Sequence, residues 1–261
     1  MKTFNYHSAN DVKEASKLAS SSSTFLAGGM TTLPSMKLGL ASYKDVIDIK
    51  KIKKLSGIKV TGKTVTIGAT TKHVDVANSK DIKKAIPSLA ALAEGIGDPQ
   101  VRNRGTIGGS IANNDPAADY PSACIALNAT INTNNRKVNA EIFFRGMFET
   151  CLKKTEIIES IEFEIPKQSS YQKLPNPASR YAIVGVYVAK HKTGINVGIT
   201  GAKPCVYNDK DLANALSKNF SSSAIENVKI SSSGMNSDIH ASSEYRANMV
   251  KVFAKKAVEA C

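Results

Sequence analysis

The sequence predicts an α+β protein in two parts, an N-terminal domain over residues 1–166 and a smaller α+β domain over residues 167–261. Strand and helix signals alternate through the first 65 residues, and two separate glycine-rich loops follow predicted elements of the first part. A polar stretch with three prolines at 166–177 is typical of a domain boundary. With 261 residues, the chain is too long for one small module and short for three domains.

The N-terminal domain is predicted to begin with short strands and helices, because apolar runs there end abruptly at glycines or turns. Strands are predicted at 4–6, 24–27, 45–49, 59–60 and 64–67. Helices are predicted over 12–19 with Asn10 or Ser8 as the cap, near Pro34, and from 74 to 97 with a break at Pro87.

A long segment from Gly95 to Pro121 has little periodicity, so it is predicted to be a loop, and loops of this length are usually functional. Beyond it, a short buried helix is expected at 122–127, a hairpin at 129–142 and a strand at 157–165. After the break at 166–177, the smaller domain is predicted to contain strands at 183–189 and 195–199. Its helices are expected to begin at Asp211 and near Glu244, the latter with Tyr245, Met249, Val252 and Phe253 on its apolar face.

The net charge of +13 raises the question of a nucleic-acid partner. Only six of the 35 basic residues are arginines, the lysines occur in short scattered groups, and no basic stripe with interleaved aromatics is present. The charge therefore favours solvent-exposed faces, an anionic cofactor or acidic partner subunits. No apolar run approaches a membrane span, no secretory signal follows Met1, and four cysteines without a close pair indicate a reducing compartment.

The first candidate site is the loop Ala27-Gly28-Gly29-Met30-Thr31-Thr32, directly after a predicted strand. Two glycines let the backbone approach a ligand closely, and successive N–H groups form a nest that binds anions. An ordinary Gly-Gly turn is the alternative for this loop taken alone.

The second candidate is Gly105-Thr106-Ile107-Gly108-Gly109-Ser110, which leads to Asn113 and Asp119. Its glycine pair with hydroxyl donors on both sides and acceptors beyond suits a phosphate next to a ribose or a ring system. Neither loop matches the P-loop or the dinucleotide-binding GxGxxG pattern. Two such loops in one domain favour a bound phosphate-containing ligand over two idle turns.

The sequence lacks the residue patterns that a metal site or a serine hydrolase would require. The four cysteines and four histidines have no metal-ligand spacing, and no Gly-x-Ser-x-Gly nucleophile motif exists. Cys124 lies among apolar residues and is expected in the core. Redox activity would therefore depend on a bound organic cofactor.

Both loops resemble the FAD loops of the molybdenum hydroxylases, in particular the separate flavoprotein (medium) subunits of aerobic carbon monoxide dehydrogenase and bacterial xanthine dehydrogenases. The resemblance extends in order over nearly the whole chain. Besides the loops at 27–34 and 106–119, it includes the segments at 98–105, 143–150, 181–186 and 244–246. It implies a two-part FAD-binding domain of the vanillyl-alcohol-oxidase (PCMH) type followed by a small α+β domain of the CO dehydrogenase flavoprotein kind.

The resemblance also assigns cofactor-binding residues. Ala27 to Thr32 would hold the FAD pyrophosphate through backbone amides, and Thr106 to Ser110 would wrap the diphosphate and the flavin side. The other implied contacts are Asn113, Asp119 at the adenosine end, Ile96 and Leu152 against cofactor rings, and Lys173 near the flavin. Relatives that attach FAD covalently use a His in the first loop. Met30 in that loop therefore predicts dissociable FAD.

The implied function is electron transfer within a complex. A large molybdopterin subunit would oxidise the substrate, a small subunit with two [2Fe–2S] clusters would relay electrons, and this chain would pass them through FAD to an external acceptor. Such complexes are dimers of heterotrimers, cytoplasmic or peripheral at the inner face of the membrane. No catalytic side chain and no metal site are expected in this chain. The large subunit's substrate remains open among carbon monoxide, a purine, nicotinate and an aldehyde, and the lack of a nicotinamide motif favours a quinone or another acceptor. A self-contained FAD oxidase of the same fold is the alternative, and a nucleic-acid-binding module ranks lowest.

Overall fold

The chain begins with a parallel three-stranded sheet whose order is β1-β3-β2. The computed structural model describes residues 1–261. The elements of this first sheet are β1 (Asn5–Ser8), α1 (Val12–Leu18), β2 (Ser23–Leu26), α2 (Thr32–Lys37) and β3 (Asp45–Asp48). Helix α1 is capped by Asp11, whose side chain accepts a hydrogen bond from the Glu14 N–H, so the predicted caps Asn10 and Ser8 were wrong by one to three positions. The predicted alternation of strand and helix is otherwise present.

A five-stranded antiparallel sheet follows, in the order β4-β5-β10-β6-β7, and a separate hairpin pairs β8 with β9. These strands are β4 (Ile58–Thr61), β5 (Thr64–Gly68), β6 (Thr130–Thr133), β7 (Lys137–Asn139), β8 (Phe144–Gly146), β9 (Glu149–Thr150) and β10 (Ile158–Glu164). The last long strand of the region, β10, lies between β5 and β6, so it joins the two predicted hairpins into one sheet.

The segment between β5 and β6 is mostly helical, and the helices cover more of it than the sequence predicted. They are α3 (His73–Asn78), α4 (Lys80–Ala85), α5 (Pro87–Glu94), α6 (Pro99–Arg102), α7 (Ile107–Asn113), α8 (Tyr120–Ala126) and, after β7, α9 (Ala140–Phe143). The predicted loop from Gly95 to Pro121 thus contains two helices and the start of a third. Asp98 and Thr106 cap α6 and α7 with their side chains. Helices of four and seven residues are too short to show apolar periodicity.

The C-terminal region is a four-stranded antiparallel sheet, β11-β12-β13-β14, covered by two helices. Its elements are β11 (Gln168–Pro175), β12 (Ala182–Lys190), β13 (Ile195–Thr200), β14 (Tyr207–Asn208), α10 (Lys210–Lys218) and α11 (Ser243–Glu259). The stretch at 166–177, expected to be an irregular break, mostly forms β11, and the domain boundary predicted there stays a prediction. Pro175 is tolerated there because it lies at the end of an edge strand, where β11 and β12 shift register.

The apolar core connects the two regions. The largest cluster of buried side chains includes Val65, Ile161 and Cys124 from the N-terminal region and also Tyr187 and Ala189 from β12. A second cluster lies between the C-terminal sheet and its helices. Because Tyr187 is fully buried in the first cluster, the C-terminal sheet is packed against the region that carries the glycine loops.

The apolar face predicted for α11 is confirmed for Phe253, which is buried, and for Met249 and Val252, which pack against the second cluster, but not for Tyr245. Tyr245 is 46% exposed, whereas Val250, Phe253, Ala254 and Ala257 are buried against the second cluster. Arg246 is also buried, because its guanidinium donates to the carbonyl of Gly201 and to Asp238. None of the helices, α11 included, is long and apolar enough to cross a membrane.

Candidate cofactor site

The two glycine loops lie directly against each other. A Cβ atom built on Gly28 would lie 2.2 Å from the carbonyl oxygen of Arg104 and 2.8 Å from Cα of Gly105. Real Cβ atoms do not approach backbone atoms so closely, so only glycine fits at position 28. The two motifs, separated by more than 70 residues in the sequence, therefore form one wall.

The first loop presents a row of unpartnered donors. The backbone N–H groups from Gly28 to Thr32 have no acceptor within the chain, although the carbonyls of Gly29 and Thr31 accept from Leu33 and Ser35 at the start of α2. Gly29 has φ +75°, a left-handed conformation that turns the chain sharply after β2. Consecutive free N–H groups carry partial positive charge and form a site for an anion.

The second loop is different, because its N–H groups are used within the chain. Ile107 and Gly108 donate to the carbonyls of Thr71 and Ala69, which fixes the loop against the end of β5. Gly109 donates to the Thr106 hydroxyl at 3.2 Å, and Ser110 donates to the Thr106 carbonyl. A Cβ atom on Gly108 would lie 2.5 Å from Cβ of Ala69. This loop contributes a rigid, closely packed surface and few free donors.

Both loops line a cavity of about 520 Å³. Fourteen of the sixteen predicted cofactor-binding residues line it: Ala27, Gly28, Gly29, Met30, Thr31, Thr32, Ile96, Thr106, Gly108, Gly109, Ser110, Asn113, Asp119 and Leu152. The cavity thus gathers residues that span more than 120 positions of the sequence. Their individual contacts with a cofactor remain predictions.

The other two predicted residues lie behind the wall. Ile107 is fully buried in the core. The ammonium of Lys173 donates to the carbonyl of Gly95 at 2.8 Å, to the carbonyl of Arg180 at 2.9 Å and to Asp119 Oδ1 at 3.0 Å. These three acceptors use all three of its protons. Lys173 therefore affects the cavity through its ion pair with Asp119.

The cavity also includes side chains that the sequence did not single out as contacts. Ser179, Arg180 and Tyr181 come from the connection between β11 and β12, so the C-terminal region supplies part of the wall. His73, Asp115 and Glu156 come from the N-terminal region. Arg180 has φ +61°, an uncommon conformation for a residue other than glycine. Asp115 and Tyr181 lie in segments that carry the resemblance, at 106–119 and 181–186, whereas no local pattern marks the other four, which meet the loops only in the tertiary structure.

His73 is held neutral at the cavity wall. Burial, and then the nearby charge of Arg102, lowers the pKa of His73 to about 4. Its Nδ1 is buried without a hydrogen-bond partner, and its ring lies 5.4 Å from the ring of Tyr120. At neutral pH this imidazole adds no charge to the cavity.

Glu156 lines the cavity, and its negative charge is balanced by an ion pair with Arg136. Its side chain is fully buried, and Arg136 donates to it from Nε at 2.8 Å and from Nη2 at 3.0 Å. This bidentate contact with Arg136 lowers the pKa of Glu156 to about 2. The backbone N–H of Lys153 and the hydroxyl of Thr133 donate to the same carboxylate. The pair thereby fixes the segment that carries Leu152 next to the hairpin of β6 and β7.

A separate open groove of about 850 Å³ is lined by five lysines. Its lysines are Lys13, Lys17, Lys51, Lys53 and Lys54. Lys54 pairs with Glu159 at 2.9 Å, and the other four lysines form no ion pair. The glycine loops carry no lysine, so the net charge of +13 resides on exposed surfaces such as this groove.

The residues present fit FAD. The unpartnered N–H groups of 28–32 suit its pyrophosphate, and Gly28 keeps the loop close enough for backbone contact. Ile96, Leu152 and Val101 provide apolar surface for a ring system, and Asp119 provides a buried carboxylate acceptor. Ligand cavities of this size with a few placed polar groups are typical of cofactor sites.

Comparison with known proteins identifies the class. A family model described as the FAD binding domain in molybdopterin dehydrogenase matches residues 2–168. The carbon monoxide dehydrogenase medium chain of Hydrogenophaga pseudoflava is 33% identical over 98% of this chain and 96% of its own length. The glyceraldehyde dehydrogenase medium chain of Sulfolobus acidocaldarius is also 33% identical, over 97% of this chain and 96% of its own.

Solved structures agree. Carbon monoxide dehydrogenase from Hydrogenophaga pseudoflava superimposes with a TM-score of 0.90, covering 99% of this chain and 97% of that chain at 33% identity. Reconstituted CO dehydrogenase from Oligotropha carboxidovorans gives a TM-score of 0.92 at 27% identity, with the same coverage of both chains.

The chain belongs to the family of FAD-binding subunits of molybdopterin dehydrogenases. Its cofactor is FAD, and it is a flavoprotein component of an oxidoreductase of the carbon monoxide and xanthine dehydrogenase type. The predicted α+β fold with a PCMH-type FAD domain is confirmed.

Proposed function

We propose that this chain is the electron-transfer subunit of a molybdenum hydroxylase complex. It takes electrons from the [2Fe–2S] clusters of a small partner subunit and passes them through dissociable FAD to an external acceptor other than a nicotinamide. A large molybdopterin subunit carries out the oxidation of the substrate. The similarity to medium chains over nearly the full length of both proteins supports this role.

The observation that carries the proposal is the row of N–H groups at 28–32 that have no acceptor in the chain and belong to residues lining the cavity. These groups would bind the FAD pyrophosphate. Thr106 to Ser110 would shape the diphosphate and flavin side, with Asn113 close by. Ile96 and Leu152 would pack on its rings, and Asp119 would accept a hydrogen bond at the adenosine end. When bound, FAD supplies the capacity to take up and release two electrons.

Three titratable side chains of the wall, Asp119, Glu156 and His73, are either tied to partners or neutral. Lys173 and Tyr171 both donate to Asp119, Arg136 pairs with Glu156, and His73 is neutral at pH 7. A self-contained FAD oxidase would need an acid or a base beside its substrate. Asp115, whose pKa is raised by burial, is one such group at the wall, so the electron-transfer role is supported over the oxidase by the similarity to medium chains.

The complex is proposed to be a dimer of heterotrimers in the cytoplasm, or peripheral at the inner face of the membrane. The lysine-lined groove and other basic surfaces would face solvent or acidic surfaces of the partner subunits. Charge complementarity of this kind mainly sets the rate and specificity of assembly.

The first experiment uses the purified chain without partners. FAD is titrated while its fluorescence quenching is followed, and heat denaturation should release intact FAD into the supernatant. Anaerobic addition of alcohols, sugars, aldehydes or purines should leave the flavin absorbance unchanged. A chain that binds no FAD contradicts the proposal, and flavin bleaching by a substrate without partners would establish the oxidase.

The second experiment isolates the native complex through this chain. Molybdenum, iron and FAD should copurify with two further subunits, with one molybdenum and four irons per FAD, as two [2Fe–2S] clusters require. A preparation that contains FAD but neither metal would contradict the electron-transfer role.

A further inference from the structure

Asp119 joins the cavity to the C-terminal sheet. This residue precedes α8, lines the cavity and is 4% exposed. Tyr171 donates its hydroxyl proton to Asp119 Oδ1 at 2.5 Å, and the Lys173 ammonium donates to the same oxygen at 3.0 Å. Both donors belong to β11, whereas Oδ2 has no hydrogen-bond partner in the chain. One carboxylate oxygen is thus saturated and the other is left for a ligand.

Tyr171 is held in one position. A Cβ atom on Gly185, in the neighbouring strand β12, would lie within 2.4 Å of the Tyr171 hydroxyl oxygen, so the missing side chain makes the space for this phenol. The Tyr171 ring stacks on Tyr187 with a centroid distance of 5.9 Å. The Tyr187 hydroxyl in turn lies 2.6 Å from the Ser88 hydroxyl. The donor that Asp119 meets is therefore preorganised.

The charge state of Asp119 depends on these donors. Burial raises the pKa of Asp119, and the charge of Lys173 and the hydrogen bond from Tyr171 oppose that rise. Burial also raises the pKa of Tyr171 well above its usual value, so the phenol remains a donor. The titratable groups that interact with Asp119 are Tyr120, Tyr171, Lys173 and Tyr181, and the charge of Asp115 acts on the same Tyr181. Loss of the Tyr171 donor would allow Asp119 to protonate at a higher pH.

We propose that Tyr171 is a positioning residue of the FAD site. By donating to Oδ1, it keeps Asp119 ionised and leaves Oδ2 to accept a hydrogen bond from a hydroxyl group of FAD. The inference rests on the proposed function and adds that FAD affinity depends on the C-terminal region, through a side chain that does not line the cavity.

The test is Tyr171→Phe in the full-length chain, with FAD titrated by calorimetry at half-unit steps between pH 5 and 8. The Kd for FAD should rise about tenfold at pH 7.5, the lower end of the range for a lost hydrogen bond to a charged group. In the wild type, affinity should fall only when the pH is lowered through the pKa of Asp119. In the variant that fall should begin at a higher pH, because its Asp119 protonates more readily.

Two further variants separate positioning from general damage. Tyr207→Phe removes a buried C-terminal hydroxyl that has no partner, and its Kd should stay within twofold of the wild-type value. Asp119→Asn should weaken FAD binding and remove any change in affinity that comes from protonation of this carboxylate. In the Asp119→Asn background, Tyr171→Phe should add less than a twofold effect, because the two residues act on one contact.

The outcomes distinguish the two proposals. A wild-type chain that binds no FAD overturns the proposed function and this inference with it. A wild-type chain that binds FAD, with a Tyr171→Phe variant of unchanged Kd and unchanged pH profile, overturns the inference alone. A full tenfold effect that persists in the Asp119→Asn background also overturns it. If Tyr171→Phe does not fold, a wild-type affinity that is unaltered by Asp119→Asn would overturn it.

Discussion

The two glycine loops look alike in the sequence, but they serve the cavity in different ways. In the loop at 27–32, the backbone N–H groups from Gly28 onward have no acceptor in the chain. In the loop at 105–110, those from Ile107 to Ser110 all have one. The first loop is therefore the source of free donors, and the second is a packed support against which the first lies.

The difference shows that a glycine pair does not by itself define an anion nest. Glycine can serve close backbone approach, as at Gly28, or close packing of a helix start on a strand end, as at Gly108. Whether a glycine loop can bind an anion depends on where its neighbouring N–H groups donate. Changes in the first loop should therefore alter FAD affinity, and changes in the second should alter the stability of the chain without FAD.

The largest effect is expected for Gly28→Ala. The added methyl group would collide with the Arg104 carbonyl and force the two loops apart, at about 2 kcal/mol for overpacking. Because the first loop makes few bonds of its own, most of this cost should appear as an FAD Kd about 30-fold higher. Fluorescence titration measures it. Gly95→Ala, where the methyl group has ordinary contacts, is the matched control and should change Kd less than twofold.

Gly108→Ala should instead destabilise the chain without FAD. Its methyl group would overlap Cβ and the backbone of Ala69 and break the hydrogen bond from Gly108 to the Ala69 carbonyl. The expected loss in the free energy of unfolding is about 2 kcal/mol, measured by urea denaturation. If Gly28→Ala and Gly108→Ala shift stability and affinity in the same proportions, the proposed division between the loops is wrong.

Thr106→Val tests the support at a single hydrogen bond. The Thr106 hydroxyl accepts from the Gly109 N–H and caps α7, and valine preserves the shape without the acceptor. The free energy of unfolding should fall by about 1 kcal/mol, as for other lost N-caps. Thr106→Ser retains the acceptor and should recover most of the loss in the same measurement.

Met30→Ala is expected to have the smallest effect. Met30 is 38% exposed, and its loop offers backbone donors, which the substitution retains. The Kd for FAD should change less than threefold, the size of a minor packing loss. A tenfold or larger rise would mean that the Met30 side chain, and not only its N–H, contacts the cofactor.

Most short-range features could be predicted from the sequence. The hairpin at 58–68, the helix break at Pro87 and the buried helix around Cys124 are all present. The errors have physical causes. Helices α6 and α7 are too short for periodicity, and β11 is polar with prolines near its ends because it is an edge strand.

The same division applies to the site. Each glycine loop is contiguous, so its composition is visible in the sequence, and fourteen of sixteen predicted residues line one cavity. Lys173 is predicted near the flavin, and in the structure its ammonium donates to Gly95, Asp119 and Arg180 and does not line the cavity. That arrangement depends on a partner 54 residues away.

The sequence by itself determined the class of the protein, the two loops and the backbone chemistry of the first one, because glycine and its neighbours act locally. Only the tertiary structure decided which loop keeps its donors free and which side chain tunes Asp119. An N–H or O–H group is hydrogen-bonded only where the fold places an acceptor beside it. The carbonyl acceptors of Thr71 and Ala69 follow β5, and the Tyr171 donor lies in β11. All three are distant in the sequence from the groups they bond.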